Sequence, residues 1–261
     1  MWNIIKAQNH QIKRDNVVWY GYVFAFILLL LLPFSSGVTW KELDGSGYAV
    51  MTMGELTFLA PLLTLVLTTR ICGRDYSDKT INYEVLAGHS RKEIYFARVI
   101  LSLCWSVTGI VILALLPILV ITILKGWGHT ADAVNLSVRG FFVLFPILRI
   151  VCVWVLLTFL VKNAGKAMVL GYVFYEVIMV VALVLQESFQ MTFTIQFAFS
   201  NLAALMELKN FMLEYVDGSD IFVMETALKP SLAVQTAAVS LVAGAICLAL
   251  GYLEFRRSDM P

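Results

Sequence analysis

An all-α integral membrane fold with six spanning helices is predicted by three observations. Of 261 residues, 60% are AVILMFWYC, only 14% are charged, and mean hydropathy is +0.82. Six stretches of about 20 residues carry one charge or none, and ~20 apolar residues are what a helix needs to cross a ~30 Å hydrocarbon core. Basic residues then collect on alternate connections, as they do on the cytoplasmic side of membrane proteins. A soluble domain averages about 25% charged residues, and a core of this length cannot hide so much apolar surface from water. Those numbers exclude an ordinary cytosolic enzyme, a disordered chain and a secreted disulfide scaffold. The net charge of +1 gives no basic field for nucleic acid. Cys72, Cys104, Cys152 and Cys247 are scattered, with no CxxC, and read as small apolar residues.

The first span is assigned to residues 17–38, in the charge-free run from Asn16 to Trp40. It is too long for a cleavable signal and has no A-x-A site, so it reads as a retained anchor. The second covers 48–69 and holds Glu55; the third, 99–124, is uncharged. The fourth, 140–161, contains Arg149; the fifth, 167–186, contains Glu176; the sixth, 230–253, is uncharged. Between 188 and 206, Phe189, Met191, Phe193, Ile195, Phe197 and Phe199 alternate with smaller or polar residues. That period of two suits an extended segment pressed on protein at the outer surface, or a short re-entrant piece. From Asn201 to Val216 a helical spacing returns, which predicts an amphipathic helix on the membrane.

With six spans and both termini inside, thirteen basic residues are cytoplasmic: Lys6, Lys13, Arg14, Arg70, Arg74, Lys79, Arg91, Lys92, Arg98, Lys162, Lys166, Arg256 and Arg257. Five lie outside: Lys41, Lys125, Arg139, Lys209 and Lys229. A seventh span at 188–206 would export Arg256 and Arg257 and lose the bias. At the N-terminus, Trp2, Ile5 and Ile12 lie near one helical face among Lys6, Lys13 and Arg14. A basic lead of this kind orients the first span.

The connection from Arg70 to Arg98 is the longest cytoplasmic one. Asp75 and Asp78 precede a mildly apolar stretch, Ile81, Tyr83, Val85 and Leu86, and acidic residues suit a helix start. Gly88 is placed to end that short helix and Ser90 to cap the next. The order Asp75-Tyr76, Thr80-Ile81, Val85-Leu86 and Gly88-His89-Ser90-Arg91 resembles the coupling segment of ABC-2 type transporter permeases. The Gly-x-Ser-Arg turn looks most like the bacterial subgroup associated with bacitracin and lantibiotic immunity. Many members carry a proline in that turn and this chain does not.

The resemblance implies a permease subunit of an ATP-driven exporter in the bacterial cell membrane. It implies an N-terminal interfacial helix beside the ATPase and a coupling surface built from Asp75, Tyr76, Thr80, Ile81, Tyr83, Glu84, Leu86, Ser90 and Arg91. It also implies a separate ABC ATP-binding subunit carrying ATP and Mg, and a second permease chain, identical or related. The chain has no GxxxxGK[ST], so no P-loop of its own. An amphipathic antibiotic or antimicrobial peptide is the substrate that the subgroup implies. The bare alternative for the loop is a solvated connector that sets topology.

Inside the membrane, Arg149 and Glu176 each sit nine residues into their spans, about 13 Å deep. A lone mid-membrane charge costs at least ~2.5–3.5 kcal/mol, so the two are expected to pair, or else to line a wet path. Glu55 lies about two turns into its span and faces a vestibule or reaches the headgroups. Two further classes fit these residues less well. An ion-coupled secondary transporter usually shows inverted repeats, and no repeat is visible here. An intramembrane enzyme needs a nucleophile–base pair or metal ligands at depth, but His10, His89 and His129 all lie outside the spans and no HExxH occurs. No catalytic or metal residue is therefore assigned.

Overall fold

The computed structural model describes residues 1–35, 44–78, 80–129, 131–189, 211–216, 219–224, 228 and 230–257. The helices are α1 (Trp2–Lys13), α2 (Asn16–Ser35), α3 (Gly45–Ser77), α4 (Ile81–Leu86), α5 (Arg91–Lys125), α6 (Ala133–Val161), α7 (Ala164–Phe189) and α8 (Pro230–Arg257). A two-stranded antiparallel sheet, β1 (Phe211–Val216) and β2 (Ser219–Met224), lies between α7 and α8 in sequence, with Phe211 opposite Met224 and Val216 opposite Ser219.

Among the described residues, α5, α6, α7 and α8 are long and apolar enough to cross a membrane. Two bent helix pairs raise the number to six if each is one span. They are α1 with α2, bent by 59°, and the Gly45–Leu56 and Phe58–Ser77 parts of α3, bent by 53°. The α3 bend has a local cause. Pro61 has no N–H to give the carbonyl four residues back, at position 57, and its ring crowds that carbonyl. Buried threonines in this environment bond their own helix: Thr64 Oγ donates to the Ala60 carbonyl at 2.8 Å, and Thr69 Oγ to that of Leu65 at 2.8 Å.

Helix α3 is the hub, packing on α2, α5, α6 and α7, while α8 lies along α6. One apolar cluster joins Ile4 and Ile12 of α1, Tyr76 of α3, Ile81 of α4, Tyr95 of α5, Phe159 of α6 and Phe255 of α8. Both chain ends, α4 and the α6–α7 turn therefore share one end of the bundle. Tyr48, Val50, Ile118, Ile121 and Leu136 close the opposite end.

Helices extend past the apolar windows. Helix α3 runs eight residues beyond 69, because Arg70 and Arg74 end a hydrophobic window without breaking a helix. Asp75 and Asp78 therefore do not open the short helix: Asp75 lies in the last turn of α3 and Asp78 is its C-cap. On α1 the buried stripe is Ile4, Gln8 and Ile12, and Trp2 is exposed. Ser188 and Phe189, expected to be extended, finish α7, and 190–210 fall outside the described residues. The amphipathic helix expected over 201–216 is replaced from Phe211 by β1. The overlooked signal is Asp217-Gly218, the dipeptide that favours a two-residue hairpin.

Two local devices behave as their residues dictate. Gly88 takes φ +87°, a left-handed conformation that ends α4, and its N–H reaches the Val85 carbonyl at 2.9 Å. Ser90 caps α5 in a full capping box with Glu93. The Ser90 backbone N–H, and after it the terminal amine and the Ser90 hydroxyl, hold the Glu93 carboxyl below its ordinary pKa. Its share of the cap is complete above the unfolded carboxyl's pKa of about 4.3 and is lost as pH falls through the lowered folded value. Ser90→Ala is expected to lower stability by about 1 kcal/mol, read from unfolding of the solubilised chain.

Candidate functional site

The site begins with a conflict at the end of α3. A carboxylate in the last turn of a helix opposes the helix dipole, and Asp75 is only 7% exposed there. Arg98, one residue short of the uncharged run of α5, resolves it. Its Nη2 lies 2.6 Å from Asp75 Oδ2 and 2.9 Å from Glu84 Oε2 on α4, and the side chain is fully buried. Gln8 of α1 donates from Nε2 to the same two carboxylates, at 2.9 Å and 3.1 Å. Thr80 completes the ring: its hydroxyl donates to Asp75 Oδ1 at 3.1 Å and its N–H to the Asp75 carbonyl at 2.9 Å. Four elements, α1, α3, α4 and α5, thus meet on one guanidinium.

The pairing positions more than it stabilises. Burying charges has a desolvation penalty that often cancels their attraction, and Arg98 Nε and Nη1 have no partner among the described residues. What the cluster does is fix α4, which at six residues would not form a stable helix alone. Ile81 adds an apolar anchor, fully buried against the core. Tyr76 packs edge-on against Phe159 and Phe255, tying α3 to α6 and α8. Arg91 Nη1 donates to the Arg256 carbonyl at 2.8 Å, joining α5 to the end of α8.

The predicted coupling residues therefore divide. Asp75, Tyr76 and Ile81 are buried, Glu84 is half-buried, and Thr80 and Ser90 are helix caps. Tyr83 and Leu86 point away from the bundle, 69% and 80% exposed. Both are exposed apolar side chains on a helix whose other face is held by the Arg98 cluster.

A family model described as "ABC-2 family transporter protein" matches residues 4–182, which contain the whole cluster, most of α1 and all of α2 to α6. The chain belongs to this family. No curated protein and no solved structure matches it. In an ABC-2 permease, the general partner is an ABC ATP-binding subunit, and α4, with its exposed Tyr83 and Leu86, lies in sequence between the long helices α3 and α5.

The intramembrane charges do not form the expected pair. Arg149 is 4% exposed on α6, beside Gly244 and Cys247 of α8. Glu176 is exposed on α7 and takes a hydrogen bond from Tyr172. The antiparallel order of α6 and α7 is right, but the two side chains leave on different faces. Glu55 is half-buried on α3, close to the bend. Among the described residues, no three His, Cys, Asp or Glu side chains converge as metal ligands.

Sequence reasoning missed Arg98 as a site residue, counting it only toward topology, and missed Gln8. A signal existed for Gln8: it is the polar member of the stripe Ile4-Gln8-Ile12, whose residues are spaced four apart. Arg98→Met is expected to destabilise the permease by about 3 kcal/mol, because it strands two carboxylates. Glu84→Gln should destabilise less, since Glu84 is partly exposed and Asp75 still neutralises Arg98. Unfolding of the solubilised variants orders the two.

Proposed function

We propose that this chain is the membrane-spanning subunit of an ATP-driven exporter, moved by an ATP-binding subunit that seats on Tyr83 and Leu86. The observation that carries this reading is the division of α4 into a clamped inner face and an apolar outer face. ATP and Mg belong to the partner, and the permease performs no catalysis. The end of the bundle bearing α1, α4 and both termini is cytoplasmic in this reading, which the distribution of basic residues supports. When the ATPase closes on ATP, force on α4 passes through Glu84 and Asp75 to Arg98. The inner ends of α3 and α5 then tilt as rigid levers between inward- and outward-open states.

A second permease chain, identical or related, completes the path. Helix α7 is the most exposed of the four straight spans, and Glu176 lies on its exposed side. A carboxylate at that depth needs a polar neighbour or water, and a wet path between two chains supplies both. The Gly88-His89-Ser90-Arg91 turn supports an amphipathic antibiotic or antimicrobial peptide as substrate and a bacterial cytoplasmic membrane as location.

The test is export in cells lacking the ATP-binding subunit, read as survival in a peptide antibiotic that the intact pair resists. Loss of resistance supports the reading; full resistance without the ATPase overturns it. Within the pair, Tyr83→Asp combined with Leu86→Asp should reduce copurification of the ATP-binding subunit at least tenfold, because burying one Leu is worth about 1.5–3 kcal/mol. The amount of variant permease in the membrane should not change.

A further inference from the structure

Where α1 turns into α2, a groove of about 250 Å³ opens between α2 and α5. Its walls include Trp19, Tyr22 and Phe26 on one side and Trp105, Thr108 and Ile112 on the other. Clefts that hold drug-sized molecules run to about 300–1,000 Å³, so this one suits a stretch of hydrocarbon chain.

Three polar groups around it already have partners. The Trp19 indole donates to the Lys13 carbonyl at 2.8 Å, the Tyr22 hydroxyl to the Trp105 carbonyl at 3.2 Å, and the Trp105 indole to Asn9 Oδ1 at 2.9 Å. A Cβ at position 109 would collide with the Tyr22 hydroxyl, so Gly109 is what lets that ring lie against α5. The bonds also fix the aromatic rings, leaving a rigid apolar slot with its α1 end at the membrane surface. Tryptophans at that level are typical of a membrane–water boundary.

The charge around the mouth has one sign. Lys13 and Arg14 are exposed at the end of α1, where the Lys13 carbonyl accepts the bond from the Trp19 indole of the groove wall. The nearby acid, Asp15, is occupied: it pairs with Arg74 at 3.2 Å and accepts the Val17 N–H at 3.0 Å. An apolar slot that ends under Lys13 and Arg14, which have no ion-pair partner among the described residues, complements a molecule with an acyl chain and an anionic head.

We propose that this groove is a binding site for an anionic phospholipid of the leaflet that meets α1. One acyl chain lies between Trp19 and Trp105, and the headgroup phosphate sits against Lys13 and Arg14. The lipid thereby holds the α1–α2 elbow, and α1 carries Gln8 into the Arg98 cluster. The site is independent of what the permease transports.

The experiment uses the full chain in phosphatidylcholine vesicles containing phosphatidylglycerol or phosphatidylcholine with brominated acyl chains, which quench nearby indoles. The signal is the quenching lost on Trp105→Phe. Brominated phosphatidylglycerol is expected to quench Trp105 at a lower mole fraction than brominated phosphatidylcholine, and Lys13→Gln with Arg14→Gln should erode that preference about fivefold per residue. Val23→Phe and Ile112→Phe each fill the groove from an exposed rim position, on opposite walls, without adding an indole. Either should abolish the Trp105 signal, and one suffices if the other fails to fold. Equal quenching by the two lipids, or a phosphatidylglycerol signal that survives both filling variants, overturns the proposal.

Discussion

A guanidinium with no exposed surface, held between carboxylates from two different helices, governs the arrangement of the inner end of this molecule. Arg98 cannot be buried unless Asp75 and Glu84 neutralise it, and Asp75 cannot end α3 against the helix dipole unless Arg98 is there. Glu84 brings α4 into the same cluster, and Gln8 brings α1. Each of these elements would be poorly placed alone. The short α4 lacks the length to persist, and α1 has a polar residue in its buried stripe. Together they satisfy one another, and the conformation of the whole end depends on that mutual requirement.

The constraint has mechanical consequences. Helix α5 is continuous from Arg91 to Lys125, about 52 Å at 1.5 Å per residue, well over the thickness of a bilayer core. Arg98 sits near its inner end, so a small displacement of α4 is applied to a long, stiff rod. Helix α3 is different: its bend of 53° near Pro61 divides it into an inner part, tied to α4 through Asp75 and Thr80, and an outer part packed at the far end. In the proposed mechanism, a force entering through α4 meets one helix without a sharp bend and one jointed helix, which favours tilting over sliding. The apolar aromatic contacts of Tyr76 and Tyr95 with Phe159 and Phe255 let that motion spread to α6 and α8.

Much of the fold was legible because lipid imposes a simple rule: long uncharged runs become helices. All six expected spans fall within helices, except that 36–38 lie outside the described residues. The helix ends were less legible, because hydropathy reports where an apolar run stops, and α3 continues to Ser77 with Ile71, Cys72 and Tyr76 buried against protein. The turn chemistry of Gly88 and Ser90 was readable from local backbone preferences, and the same chemistry at Asp217-Gly218 was overlooked in favour of a helical spacing. The inner cluster was half legible. Asp75 and Glu84 stood out in the loop, yet their partner lies 14 to 23 residues on, on another helix, and no local pattern links positions that only tertiary packing brings together. The pairing of Arg149 with Glu176 failed for the same reason: depth can be counted along a helix, but the face on which a side chain leaves depends on how its neighbours pack.

The central claim, that Arg98 holds α4 in place, is tested most directly by amide hydrogen exchange across α4 in the full-length permease and its Arg98→Met variant. The account predicts that the amides of Tyr83 to Ala87 exchange at least about tenfold faster in the variant, equivalent to about 1.4 kcal/mol of lost local stability, while the middle of α5 keeps its protection. Unchanged protection of α4 in a folded Arg98→Met permease would contradict it.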